Sequence, residues 1–374
     1  MLIKGGAMNN ELFLLTYGID RIGNDLIYMA EDAGYLMKVS LATGDTEILF
    51  KPSKPGYRAF VVYGDDIVLF PDSRGYVCFY NIKNGTERYE SIPEQIHLST
   101  ETNWSAYYIR HGDTLFFFWQ SAVITTYDLK NSKWDTYREW IEQVENKGIA
   151  FEGFSKGGYV YDNKAYFHMA RTNYYVVIDL NTGKNDIIET DYNGLMFSDD
   201  EVVHQICEME DSIAVQTVTG KSVVVYEADY YGGVKKRLTV LDFDKYYLNI
   251  PFNVMFALDD VVYLLPGEAY EAYCIDVNSG YCEQVKDIVV ADREAKTKGK
   301  NRFDFYYGKI IDSIWYGFNV KTSKLISIDG KTGIIKTVNV YDDEQKVKMK
   351  NDLFSYGPYM ESNTFDLSIY LKMI

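Results

Sequence analysis

The chain is poor in proline (7 of 374 residues), in cysteine (4) and in histidine (4). Proline interrupts sheet ladders, so its scarcity removes an obstacle to extended strands. Cys78, Cys207, Cys274 and Cys282 are too sparse for a disulfide framework. Cys274 and Cys282 flank one turn almost symmetrically, which leaves a cross-hairpin pair open, but buried free thiols are the expectation. His97, His111, His168 and His204 are too few for a metal site, and no metal is expected. His111 and His168 fall near strand ends and could lie close together. Positive charge is in deficit as well: 38 Lys and Arg stand against 54 Asp and Glu, a net charge of −16. Nucleic-acid binding needs cations to displace counterions, so no such partner is expected. The one obvious basic cluster, Lys296, Lys298, Lys300 and Arg302, reads as a solvated loop. No apolar run approaches a membrane span, and MLIKGGAMNNELF at the start lacks a signal-peptide core. A cytoplasmic protein without a membrane partner is therefore expected. There is no G-x-S-x-G elbow, P-loop, H-E-x-x-H or EF-hand loop, and no cofactor is expected.

What is abundant is aromatic: 34 Tyr and 20 Phe dominate an aromatic share of 16%. Such side chains favour pleated, half-buried surfaces, so strands are expected. The strands repeat. An apolar run often closed by Asp, a small polar turn usually ending in Gly, and an alternating run recur along the chain. The copies are KVSLATGDTEIL (38–49), CFYNIKNGTERY (78–89), TTYDLKNSKWDTY (125–137), VVIDLNTGKNDIIE (176–189), YCIDVNSGYCEQV (273–285) and ISIDGKTGIIKTV (326–338), with a degenerate one at 223–240. A second signature precedes each, a tight turn and an apolar strand, as in GDDIVLF (64–70) and GDTLFFF (112–118). Its markers Asp25, Asp66, Asp113, Asn163, Asp211, Asp260 and Lys309 are spaced by 41, 47, 50, 48, 49 and 49 residues.

Each unit reads as strand, tight turn, strand, loop, strand, tight turn, strand. Seven such units describe an all-β toroid, a seven-bladed β-propeller of four-stranded antiparallel blades. The even spacing without a linker disfavours two stacked domains. The expected blades are approximately 12–52, 56–93, 104–140, 152–191, 202–242, 252–288 and 302–342, in a single domain over 1–374. The tail, 343–374, is expected to pair with the first blade and close the ring, because an open edge invites aggregation. The segment REWIEQVENKG (138–148) has the helical spacing of Trp140, Ile141 and Val144, and is expected to cover the edge of its blade.

Tyr127 and Trp134, in TTYDLKNSKW, stand at about the spacing of the kelch Tyr and Trp. On these residues the chain resembles the β-propeller repeat families, most nearly the kelch-like ones. The kelch double glycine is missing from every unit and the Trp from most. No Trp-Asp pair ends a third strand, so WD-type repeats match less well. The resemblance covers about residues 12–342 and implies an architecture without naming an activity.

In a four-stranded meander the first-to-second and third-to-fourth turns share one face of the disc. The second-to-third and blade-to-blade connections share the other. The first set is short and repetitive, while the second varies, from IPEQIHLSTETN (92–103) to VVADREAKTKGKN (289–301). Variable loops on a rigid scaffold are where binding usually resides, so the loop-rich face is expected to be functional. Arg74, Trp119, Arg171, Glu268 and Tyr316 are the candidate ligand-binding residues expected at its rim, Tyr316 from a short connection WYGF (315–318). Paired carboxylates such as Asp65 and Asp66, or Asp259 and Asp260, are read as acceptors of backbone hydrogen bonds in their turns. The leading expectation is a non-catalytic binding or scaffolding module that recognises a protein or a glycan. The alternative is an enzyme with a channel-mouth site, a carbohydrate lyase or hydrolase or a quinone-dependent dehydrogenase. A convergent cluster of His, Arg and carboxylate in the channel favours the enzyme, and an apolar or salt-bridged plug favours the binder.

Overall fold

A computed structural model describes residues 18–30, 35–54, 57–71, 75–94, 96, 107–118, 123–190, 202–219, 222–243, 250–288, 304–319, 322 and 324–340. The tail lies outside these residues, and with it the expected strand that closes the ring. Blade 1 is β1 (Ile19–Ile22), β2 (Asp25–Ala30), β3 (Tyr35–Ser40) and β4 (Thr46–Phe50). Blade 2 is β5 (Tyr57–Tyr63), β6 (Asp66–Pro71), β7 (Tyr76–Asn81) and β8 (Glu87–Ser91). Blade 3 is β9 (Tyr108–His111), β10 (Thr114–Phe117), β11 (Ile124–Asp128) and β12 (Lys133–Tyr137), followed by α1 (Glu139–Lys147). Blade 4 is β13 (Tyr159–Tyr161), β14 (Lys164–His168), β15 (Tyr174–Asp179) and β16 (Asn185–Glu189). Blade 5 is β17 (Val202–Glu208), β18 (Ile213–Val218), β19 (Ser222–Ala228) and β20 (Val234–Asp242). Blade 6 is β21 (Phe252–Leu258), β22 (Val261–Pro266), β23 (Tyr273–Asp276) and β24 (Cys282–Gln284). Blade 7 is β25 (Phe305–Ile311), β26 (Ile314–Asn319), β27 (Lys324–Asp329) and β28 (Ile335–Asn339). Every sheet is an antiparallel meander of four consecutive strands, and the seven form the ring of a β-propeller.

The second strand of each blade shows why the sequence reads as it does. Side chains alternate between the two faces of a strand. In β2, Leu26 and Tyr28 pack with Tyr316 and Phe318 of blade 7, while Ile27 and Met29 pack with Phe60 and Ile67 of blade 2. In β22, Val262 and Leu264 face blade 5, and Tyr263 and Leu265 face blade 7. Both faces are buried, so the strand reads as an unbroken apolar run rather than an alternation. Seven hydrophobic clusters fill the joints among the described residues, one between each pair of neighbouring blades. The joint between blades 7 and 1 completes the ring by packing, joined by the Arg21–Asp312 and Lys309–Asp20 ion pairs.

The tight turns follow from backbone chemistry. The first residue of the first-to-second turn is left-handed in six blades, at Gly23, Gly64, Gly112, Asp162, Asp259 and Asp312. The two turns of a blade are also tied together: Leu129 N–H donates to Asp113 O at 2.8 Å and Leu180 N–H to Asn163 O at 2.9 Å, with the same bond in blades 2, 6 and 7. In the third-to-fourth turn of blade 4, Asp179 Oδ1 accepts from the N–H groups of Asn181 (3.0 Å) and Thr182 (2.8 Å). Asp128 and Asp329 repeat this cap. The doublets behave differently from expectation. Asp65 pairs with Lys83 and Asp260 accepts from Asn278, both side-chain contacts, because the capping position falls at the end of the third strand instead.

The hydrogen bonds from Thr182 hold the Asp179 carboxyl below its ordinary range. A carboxylate with a lowered folded pKa stabilises above its unfolded pKa and loses that effect as pH falls through the folded value. Asp179→Ala is therefore expected to lower the urea midpoint measurably at pH 7. The two proteins should converge in acid, and an equal difference at pH 2 would rule out the cap.

Helix α1 forms where expected, but covers the outer edge of blade 4 rather than of its own blade. Trp140 N–H donates to Asn185 Oδ1 at 2.9 Å and Ile187 N–H to Gln143 Oε1 at 3.3 Å, so side chains at the β16–α1 contact take up polar groups. Trp140 and Val144 are buried with Phe154 and Ile187, anchoring the helix. All four cysteines are free. Cys274 lies opposite Glu283 and Cys282 opposite Ile275, which puts the two thiols on opposite faces of the sheet, out of bonding reach.

Candidate binding site in the central channel

The first strand of each sheet is an edge, and the seven edges surround the central channel. An unpaired edge is a row of unsatisfied N–H and C=O groups. Side chains from neighbouring blades satisfy them here. Tyr108 Oη donates to Phe60 O at 2.7 Å, and Asp20 Oδ2 accepts Val62 N–H at 3.1 Å while pairing with Lys309 Nζ at 2.9 Å. Gln205 Nε2 donates to Asn253 O at 3.1 Å, and Asn253 Nδ2 to Phe305 O at 2.8 Å. Lys156 Nζ donates to Asn253 Oδ1 and lies 5.4 Å from the centre of the Tyr107 ring. Tyr107 reaches across to Tyr306 O and packs edge-on against Tyr307. Blades 3 to 7 are thereby laced into a polar plug on the loop-rich side.

The plug is built on a local switch of partners. Ser155 N–H pairs with His168 O of its own blade, whereas Lys156 N–H pairs with His204 O and its carbonyl accepts from Ile206, in blade 5. Gly157 allows this: a Cβ there would stand 2.0 Å from Ile206 O. Burial disfavours the charged forms of the ionisable groups of the plug. It lowers Lys156 to about 7 and His168 to about 3, and together with the Lys156 charge it lowers His204 to about 3.

Below the plug the channel opens toward the short turns. Arg21, Val62, Arg110, Val160, Glu208, Ala257 and Ile310 occupy one equivalent position, pairing in turn with Leu26, Ile67, Leu115, Ala165, Ile213, Val262 and Trp315. The two arginines lie alike. Each donates from Nε to the carbonyl of its turn glycine, and from Nη1 to the preceding blade, Arg21 to Asp312 at 2.8 Å and Arg110 to Val62 O at 3.3 Å. Among the described residues Arg110 has no carboxylate partner.

A cavity of about 440 Å³ fills this mouth, lined by strands of blades 3 to 7. Such a volume is within the range of small-ligand pockets. Arg110, His111, Glu208 and Lys309 supply its polar groups, and Phe256 and Trp315, stacked at 4.6 Å, form an apolar wall. Gly308 keeps that wall in place, since a Cβ would fall 2.2 Å from the indole. Among the described residues no three His, Cys, Asp or Glu side chains could hold a metal ion.

Three of the five residues singled out from the sequence are described, and these three do not converge. Arg74 and Trp119 lie outside the described residues. Arg171 is exposed in the β14–β15 connection, left-handed at φ 58°, and ion-paired to Glu152 at 3.2 Å. Glu268, in the β22–β23 connection, accepts Ile250 N–H at 3.2 Å. Tyr316 is not in a connection at all. It lies in the middle of β26, 4% exposed, in the joint between blades 7 and 1. The run WYGF continues its strand because both of its faces are covered. His111 and His168 also lie apart, one exposed at the mouth and one buried at the far end of β14. Missed in the sequence were Lys156, Gln205 and Asn253, polar residues inside or beside apolar first strands, and the residue one place before each turn-closing pair.

No family model and no curated protein matches the chain. Solved structures do match its fold. YCF48 from Cyanidioschyzon merolae has 10% identity over 82% of this chain and 92% of its own, with a TM-score of 0.52. Hsv2 from Kluyveromyces lactis has 10% identity over 87% and 99%, with a TM-score of 0.51. The computationally designed protein Ika8 has 11% identity over 89% of both chains, with a TM-score of 0.51. Similarity at this level extends to the fold alone.

Proposed function

We propose that the chain is a non-catalytic binding module that takes hold of a protein partner at the channel mouth, on the face of the short turns. The observation that carries this reading is the mouth cavity, whose polar groups come from blades 3, 5 and 7, with Arg110 and Glu208 at equivalent positions, and open beside exposed tyrosines. The plug above it supports a binder, because Lys156 and His168 are buried and held in hydrogen bonds. In the blade that carries it, the cross-strand contact of Tyr127 with Trp134, ring centres 4.7 Å apart, supports the kelch-like reading.

Affinity capture from a native lysate tests the proposal. A partner retained by the wild type is expected to be lost with Arg110→Ala and Ile310→Glu, and kept with Arg171→Ala and Glu268→Ala. The opposite pattern would return the site to the loop-rich face. One observation favours a second reading, a site of glycan chemistry: Arg110, His111 and Glu208 line one cavity. Hydrolysis by two carboxyls is disfavoured, since Glu208 is the one carboxylate lining it among the described residues. Release of new oligosaccharide products from a glycan mixture, abolished by His111→Ala, would replace the binding module with an enzyme.

A further inference from the structure

Blades 4 and 5 meet on the short-turn face in a built aromatic corner. Tyr161, at the end of β13, stacks on Tyr230 of the β19–β20 turn, with ring centres 4.2 Å apart and planes 6° from parallel. Tyr231 stands at 86° to Tyr161, 5.8 Å away. The corner is fixed from beneath. Tyr230 Oη donates to Met209 O at 2.8 Å, and Tyr159 Oη donates to Tyr230 O at 2.9 Å. Tyr231 N–H is capped by Asp229 Oδ1 at 2.8 Å. Despite this support, Tyr161 is 38% exposed and Tyr231 57%. Tyr230 packs against the joint between blades 4 and 5, whereas Tyr161 and Tyr231 add two rings at right angles that face water.

The charge around them is mostly negative. Asp162 follows Tyr161 in its turn, and the charges of Glu208 and Asp211 reach Tyr230. None of these three carboxylates has an ion-pair partner among the described residues. Two cations are near: Lys235, engaged by Glu227 at 3.5 Å and by Asp211 O at 3.5 Å, and Lys164, which stands opposite Tyr161 across the β13–β14 turn. Ring faces and carboxylates attract the same kind of group, a cation that keeps its charge while shedding part of its water.

We propose that Tyr161, Tyr230 and Tyr231, with Asp162, Asp211 and Glu208 around them, seat a lysine or arginine side chain presented by a basic segment of a protein partner. The proposal rests on the reading of the short-turn face as the docking face and names what that face selects. Glu208 belongs to both the corner and the mouth cavity, so the segment that fills the corner continues toward the channel.

Blocked, fluorescently labelled peptides of alternating glycine with arginine, lysine or glutamate serve as probes, titrated into the full chain at about 0.15 M salt, where diffuse attraction is largely screened. The arginine and lysine peptides are expected to bind and the glutamate peptide not. Tyr231→Ala and Tyr161→Ala should each weaken binding by roughly 2- to 30-fold. Asp162→Asn should weaken it too, whereas Asp45→Asn, an equal loss of charge on the same face of blade 1, should not. Both tyrosines are exposed, and unchanged thermal melts would confirm that the variants fold. Peptide binding indifferent to the tyrosine variants would overturn the seat, leaving only the attraction of a −16 chain for any polycation. If a lysate partner were still lost with Arg110→Ala in that case, the docking face would stand and the cation seat alone would fall.

Discussion

Gly157→Ala is expected to melt roughly 3–6 °C below the wild type, the largest loss from any single methyl group in the channel. Its backbone is left-handed, with φ 88°, and an added Cβ would stand 2.0 Å from Ile206 O. A side chain can turn away from a collision, but this carbonyl is fixed, because its strand is paired with β18 on one side and with Lys156 on the other. Left-handed geometry costs an L-residue about 1–2 kcal/mol, and overpacking adds about 1–3 kcal/mol. Spread over an unfolding entropy of about 2 cal/mol/K per residue, these sum to the shift given above. Gly112→Ala separates the two causes. It is also left-handed, with φ 57°, but nothing lies within 4 Å of the added methyl. Its loss should be roughly 1–3 °C. Equal losses in the two variants would mean that the cross-blade contact at Gly157 yields, and that the plug is looser than its hydrogen bonds imply.

Stability is expected to rise between pH 7 and about 10, and Lys156→Met should flatten that rise. Burial lowers the Lys156 amine from 10.5 to about 7. Below pH 7 both folded and unfolded chains carry the proton, so the fold bears the whole cost of a buried charge. Between 7 and 10.5 only the unfolded chain keeps it. The cost then disappears from the folded state, which becomes the more stable one. One pKa unit corresponds to about 1.4 kcal/mol, so the full rise from this group is at most about 5 kcal/mol. Urea unfolding at pH 7, 8, 9 and 10 measures it directly. The tyrosines set the upper limit of the window, because their buried phenols ionise only on unfolding and oppose the rise above their ordinary range. Parallel pH profiles for the wild type and Lys156→Met would show that the amine is solvated, and would remove the plug as a barrier in the channel.

The repeat was legible because its signals are local. A tight turn needs left-handed residues, and GD, DN and DD announce it wherever they stand. A strand buried on both faces must be apolar throughout, and GDDIVLF shows that in seven letters. The position of a residue in the ring is a different kind of information. Tyr316 carries an aromatic ring in both settings, a connection or a blade joint, and only the neighbouring blade decides between them. The mouth was hidden for the same reason. Arg21 and Arg110 stand 89 places apart in the chain, yet they occupy equivalent positions in blades 1 and 3. Loop length marked out the variable face, whereas the cavity of about 440 Å³ lies toward the uniform one.

The equivalence of those seven positions has a consequence for how such a mouth changes. The joints between blades are spelled by one set of residues and the mouth by another, with a single letter from each blade: Arg, Val, Arg, Val, Glu, Ala, Ile. Six of the seven (Arg21, Val62, Arg110, Val160, Glu208 and Ile310) lie partly or wholly open to solvent, so rewriting any one of them leaves the buried alphabet of the fold intact. A duplicated blade inherits a new letter without a new scaffold. The chemistry of the mouth can therefore drift one letter at a time while the wheel that carries the word stays the same.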